Sequence, residues 1–342
     1  MNNSINTRQR LADRIKNGAV LLHSGSIVYR NNDTWYPFRQ DSNFYYLTEW
    51  PEPDAHAVIL IKNSEPELHL FVQDRNEEME TWEGKRLGQS GAVDEYDASK
   101  AYSFQDYEKI LPNLLRGFND IYCDYSSNNF EKHDKKILTH AVPYDQRGAD
   151  FSNATLHSLQ PLVSELRLIK SEGEIELLTK ACDITVEGHI HAMKTTNTGM
   201  YEYQVGAEME KIFYDRGAER LGYPSIVAGG HNACILHYST NRDQLDDGSL
   251  LLIDAAAEYG MYSSDVTRTF PVSGKFTSPQ KDVYEEVLKV QNEGIEGVVV
   301  GNSMKEVHQQ TIKTLSESLV NLKLVPLGVE ETISMMHFFE FF

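Results

Sequence analysis

Short apolar runs with polar punctuation fill roughly the first 160 residues, the pattern of strands alternating with helices. Ala19-Val20-Leu21-Leu22 and Ala57-Val58-Ile59-Leu60-Ile61 read as buried strands, with Leu68-His69-Leu70-Phe71-Val72 as a third. Arg8 to Asn17 carries a short helical pattern. This alternation predicts an α/β domain.

Near Gln160-Pro161 the period changes. Ser171 and Glu174 have the form of a capping box and open a helix to about Met193. Leu177, Leu178, Ala181, Ile184 and Ala192 keep helical spacing within it. A second helix runs from about Tyr201 to Arg216 and stops at Gly217. Strands are expected from Tyr223 to Pro271, then two more helices. One begins at Ser278, read as an N-cap before Pro279, and the other at a Ser303–Glu306 capping box. The boundary falls near residue 163. It separates an α/β domain, 1–163, from an α+β domain, 164–342, with helices on one face of a largely antiparallel sheet.

Candidate chemistry lies between Leu250 and Pro271. Tyr259-Gly260 can form a tight turn between two strands. With that loop, Glu258 faces Met261, Ala256 faces Ser263 and Asp254 faces Asp265. The two aspartates become a direct cross-strand pair, about 4.5–5.5 Å apart at Cβ. Two such carboxylates repel, and divalent ions relieve the repulsion. Oxygen ligands suit Mn²⁺ or Mg²⁺. Spacing alone leaves the metal reading open against a strand-end aspartate beside an ordinary turn aspartate. His237 follows Cys234-Ile235-Leu236 and is expected to emerge from a strand beside the pair. A neutral imidazole there can hold a carbonyl or move a proton, although a satisfied core histidine competes with that reading. His231, after Gly229-Gly230, reads as a loop residue.

Composition narrows the function classes. A net charge of −19 argues against a nucleic-acid partner. Three scattered cysteines give no disulfide framework and suit a reducing compartment. The N-terminus lacks a signal-type apolar run, and no apolar stretch nears the ~20 residues of a membrane span. A cytoplasmic protein without a membrane partner is expected. A homo-oligomer stays open.

Asn232 to Tyr238, the strand ending in Asp254, and Asp265-Val266-Thr267-Arg268-Thr269-Phe270-Pro271 resemble the Xaa-Pro aminopeptidases (aminopeptidase P). Phe38 to Thr48 and Trp82-Glu83-Gly84-Lys85-Arg86-Leu87-Gly88 are similar to that family's N-terminal domain. The resemblance implies a pita-bread (creatinase/aminopeptidase-like) fold for the second domain. It implies a metallo-aminopeptidase, usually with two Mn²⁺ ions that activate hydroxide, releasing the first residue of peptides with proline second. Asp254 would bind one ion, Asp265 would bridge both, and His237 would position the substrate or stabilise the tetrahedral intermediate.

The family pattern has five ligands: two Asp, one His in a His-Gly-x-x-His segment, and two Glu. No His-Gly-x-x-His occurs in this sequence. Three of the five ligands are expected to be missing, the catalytic domain incomplete and the chain inactive as it stands. The expected cause is truncation or a frameshift near the C-terminus. His337 and Glu340 are in principle substitutes but match no motif. A non-catalytic relic or peptide-binding module, and a prolidase-like dipeptidase, are the competing readings.

Overall fold

The computed structural model describes residues 3–125, 127, 129–140 and 154–336. The chain divides into two compact units, Met1–Ile175 and Glu176–Phe342.

The first unit carries a six-stranded sheet. Its strands are β1 (Gly18–His23), β2 (His56–Lys62), β3 (Glu65–Val72), β4 (Lys100–Ser103), β5 (Asp120–Cys123) and β6 (Thr155–Ser158). Their spatial order is β4-β3-β2-β1-β5-β6. Only β2 runs antiparallel to its neighbours. The other adjacent pairs are parallel. The continuous apolar runs follow from this arrangement, because a sheet covered on both faces has no polar side to alternate with. Val20 and Leu22 enter one core with Leu11, Phe44 and Trp50. Ala19 and Leu21 enter the other with Tyr107, Leu111 and Ile121. Helix α1 (Asn3–Ile15) covers the first core, and α2 (Gln160–Leu168) adds Val163 and Leu166 to it.

A polar cluster lies at the carboxyl end of β1. The ring nitrogen Nδ1 of His23 is 2.6 Å from Nδ1 of His56, and its Nε2 is 2.8 Å from Oδ2 of Asp134. Tyr107 donates to Oδ1 of the same fully buried aspartate at 2.7 Å. His133 stacks on His23.

The second unit is organised by α3 (Glu172–Thr195) and α4 (Glu202–Asp215). The expected capping box is present, with Ser171 N–H donating to Glu174 at 2.7 Å. Gly217 ends α4 with φ +89°. Among the described residues its strands are β7 (Arg220–Leu221), β8 (Ile226–Gly229), β9 (Leu250–Ala255), β10 (Ala257–Tyr259), β11 (Tyr262–Ser263) and β12 (Val266–Pro271). They form two antiparallel sheets, β8-β9-β12 and β11-β10-β7. The expected strand group is interrupted between Gly230 and Ser249, where the chain turns instead. Helices α5 (Ser278–Glu296), α6 (Met304–Asn321) and α7 (Val329–Met336) follow. The α5 cap is Thr277, one residue before the expected Ser278, because Gln280 reaches back to the Thr277 N–H at 2.9 Å. The Ser303–Glu306 box opens α6 as expected. Among the described residues no helix is long and apolar enough to cross a membrane.

Helices α3 and α4 touch at Gly188. A Cβ there would lie 2.4 Å from Cε1 of Phe213, a fully buried ring. Gly188→Ala gains helix propensity worth up to ~1 kcal/mol. Overpacking against a fixed ring costs about 1–3 kcal/mol and wins. Urea unfolding of the variant is expected to show a lower midpoint; an unchanged or higher one would mean that the ring yields freely.

Candidate metal centre

Asp254 stands on the central strand of its sheet. Leu251, Ile253 and Ala255 fill the core against Ile184, Val205, Met209 and Phe213 of the two helices. Strand alternation therefore turns Leu252 and Asp254 to the opposite face. Leu252 packs there against the small cluster of Ile226, Ala228 and Tyr238. Asp254 lies opposite Ile226 on one neighbour and Thr267 on the other. Paired on both sides, the strand is a rigid support.

The hairpin beyond it closes one residue later than expected. Gly260 and Met261 occupy the turn, with φ +57° and +69°. Tyr259 pairs with Tyr262, and Glu258 with Ser263. Two positive φ values define a type I′ turn. Centring the loop on Tyr259-Gly260 would put a bulky aromatic in the left-handed region. A Cβ at Gly260 would also lie 2.8 Å from Cδ2 of Leu177, which would have to shift to admit it. Asp254 consequently faces Thr267, and the direct pairing with Asp265 is not formed. The pairing moves by two residues, which preserves the face of every side chain. Asp254 and Asp265 are diagonal neighbours.

Asp265 precedes the regular part of β12. The ladder is interrupted beside it at Ala256, whose carbonyl accepts from the Gly222 N–H at 2.8 Å. Thr185 of α3 fills the gap. Its hydroxyl accepts from the Ala257 N–H at 2.9 Å and lies 2.6 Å from Oγ of Ser264.

Both carboxylates converge on one phenol. The Tyr223 hydroxyl hydrogen-bonds Oδ1 of Asp254, and Oδ1 of Asp265 lies 3.1 Å from the same hydroxyl oxygen. Two hydrogen-bond lengths end to end bound the separation of those carboxylate oxygens at about 6 Å. One proton serves two acceptors, so the pair stays under-compensated. Burial first, and then the two aspartates, push the Tyr223 pKa well above the ordinary phenol value, so Tyr223 keeps its proton. Its position in Gly222-Tyr223-Pro224 reads as a turn signal, and nothing local marks it as a partner of the aspartates.

His237 does not emerge from a strand. It lies exposed on a turn after the 3₁₀ helix Gly230–Cys234. The apolar lead-in is misleading because Ile235 and Leu236 are themselves exposed rather than paired. Gly230, with φ +53°, breaks the strand before them. His231 is exposed within the 3₁₀ helix. His337 and Glu340 lie outside the described residues.

The oxygen donors of Asp254 and Asp265 fit a hard divalent ion in kind. They supply only part of a coordination shell. Among the described residues no group of three or more His, Cys, Asp or Glu side chains is gathered to hold a metal.

Residues 176–338 match the family model described as metallopeptidase family M24. Residues 5–122 match the aminopeptidase P N-terminal domain. The Xaa-Pro aminopeptidase of Haemophilus influenzae is 40% identical over 328 residues, 95% of this chain and 73% of the relative. The structure of Pseudomonas aeruginosa aminopeptidase PepP superposes with a TM-score of 0.91 at 34% identity, covering 98% of this chain and 76% of the other. A structure of Escherichia coli aminopeptidase P with the inhibitor Pro-Leu gives 0.91 at 33% identity, with coverage of 97% and 76%.

Proposed function

This chain belongs to the aminopeptidase P family of M24 metallopeptidases, with that family's N-terminal domain joined to a pita-bread domain, and on that premise we propose that it carries part of a two-metal centre for releasing the first residue of peptides with proline second. The observation behind this reading is the convergence of Asp254 and Asp265 on Tyr223 within the segment matching the M24 model. Asp254 and Asp265 would hold the ions, with Mn²⁺ as the proposed metal in the cytoplasm. When bound, such ions supply activation of water and polarisation of the scissile carbonyl.

The protein's own groups have distinct tasks in this reading. The aspartates supply negative charge on a paired central strand and its neighbour. Tyr223 keeps its proton and holds the two carboxylates together. His237 helps position the substrate carbonyl or supports the charge developing on its oxygen. The inhibitor in the Escherichia coli neighbour, Pro-Leu, suits a substrate in which proline begins the released product.

A second reading follows from the sparse ligand set. Among the described residues no third metal-ligating side chain is gathered with the two aspartates, and in this reading they belong to a peptide-binding module rather than a peptidase. The test uses the chain extended at its C-terminus with the family segments carrying the remaining ligands. With Mn²⁺, the extended chain is expected to release the first residue from a tripeptide with proline second, and Asp254→Asn or Asp265→Asn to remove that release. Cleavage restricted to dipeptides would favour the prolidase-like alternative. Equal cleavage without proline would sink the proline-specific reading.

A further inference from the structure

The turn that carries His237 is organised around a buried carboxylate 35 residues earlier in the sequence. Glu202 is the first residue of α4 and is fully buried. Its Oε1 accepts from the Gly229 N–H at 2.8 Å and from Nδ2 of Asn232 at 2.9 Å. Its Oε2 accepts from the Tyr238 hydroxyl at 2.8 Å and from the Asp243 N–H at 3.0 Å. The four donors come from four points along the segment that leaves β8 and returns. They bracket His237, with Asn232 before it and Tyr238 directly after it.

We propose that Glu202 is a positioning residue, which fixes the Gly229–Asp243 segment and thereby sets where the turn carrying His237 stands. This rests on the role given to His237 above.

A carboxylate suits this place for three reasons. It offers about four acceptor sites and no donor, matching four converging donors. The N-terminus of α4 favours a negative charge at its first residue. The four hydrogen bonds replace the water that burial removes, so the charge needs no cationic partner. Tyr238 is a dependable donor, because burial first, and then its bond to Glu202, push its pKa up to about 12. A Gln side chain fails the same test. It would aim N–H groups at two of the four donors and leave them unpaired.

The segment is also tied to the sheet. Gly229 pairs with Leu251 of β9, two residues before Ile253 and three before Asp254. On the outer edge of β8, the Asn241 side chain stands in for a missing strand. Its Oδ1 accepts from Val227 N–H at 3.0 Å, and its Nδ2 donates to the Ser225 carbonyl at 2.7 Å. Glu202 is therefore the inner anchor of a turn whose two ends are fixed to the Asp254 sheet. His237 itself is exposed on the span between the anchors.

Amide hydrogen exchange on the 342-residue chain tests the anchor directly. Glu202→Gln is expected to speed exchange across residues 229–243 by at least about tenfold, while 250–255 and 266–271 keep their protection. Tyr238→Phe removes one donor without introducing a competing one, and should give a smaller acceleration centred on Asp243. It also covers the case in which Glu202→Gln does not fold. Unchanged exchange of the segment in both variants overturns the proposal.

The link to His237 is read in the extended chain as a double-mutant cycle. Glu202→Gln should lower kcat, leave Mn²⁺ affinity unchanged, and add nothing to the loss caused by His237→Ala. Additive losses would mean that Glu202 acts on stability alone and would overturn the positioning role. If His237→Ala alone left turnover intact, the reading of His237 would fall, and with it the positioning role. The exchange result would then still separate that failure from a failure of the anchor.

Discussion

The extended chain is expected to cleave a proline-second tripeptide at least about a thousandfold faster, in kcat/KM, than the 342-residue chain under the same Mn²⁺ concentration. Asp254 and Asp265 are held close by the shared Tyr223 hydroxyl, so they can attract a divalent ion. Attraction is a weak requirement compared with positioning. A displacement of ~1 Å at a reacting centre already costs about a hundredfold. Among the described residues two carboxylates supply only part of a coordination shell, and these groups fix neither the number of ions nor their separation. Calorimetry should show weak Mn²⁺ binding to the 342-residue chain, and Asp265→Asn should weaken it further by removing a charge. In the extended chain, Asp254→Asn should reduce turnover to the level of the unextended protein. Turnover within tenfold for the two lengths would mean that residues of this chain complete the site, and the ligand assignment would have to be redrawn.

Local chemistry was readable along the chain wherever the determinant sat within a few residues of its effect. The Ser171–Glu174 and Ser303–Glu306 boxes open their helices because both partners lie in one turn. The double coverage of the first sheet was readable from unbroken runs such as Ala19 to Leu22. The hairpin was half readable. Gly260 signals a turn, but which side of it the loop extends depends on the sign of φ at Met261 and on contact with Leu177. Because the resulting shift is two residues, the two aspartates still converge. The path of the His237 turn was not readable. Cys234-Ile235-Leu236 resembles a strand lead-in, and the competing influence is Glu202, far away in sequence. Tyr223 carries no local signal for the same reason, since its partners are reached only through the sheet pairing.

The first unit is expected to lose stability as pH falls below about 6.5, and His56 is the residue to examine. Burial, followed by the neighbouring His23, His133 and Lys132, lowers the His56 pKa from 6.5 to about 2. Phe104 stacks on its ring and Tyr107 lies tilted against it, so the imidazole has little access to water that could solvate a proton. In the unfolded chain His56 titrates near 6.5. Below that pH the unfolded state takes up a proton that the folded state refuses, so protonation favours unfolding. The contribution is intact above pH 6.5 and declines at about 1.4 kcal/mol per pH unit below it. Between pH 6.5 and 4.5 this amounts to about 2–3 kcal/mol. His56→Asn retains an N–H that can face Nδ1 of His23 but does not titrate. Its stability at pH 7 should be lower than that of the parent chain, while its decline between pH 6.5 and 4.5 should be shallower by that amount. Hydrogen exchange at the β1 and β2 amides reports this unit separately from the second. Identical slopes in the two proteins would show that His56 takes up its proton in the folded state, with the His23–Asp134 pair rearranging to admit the charge.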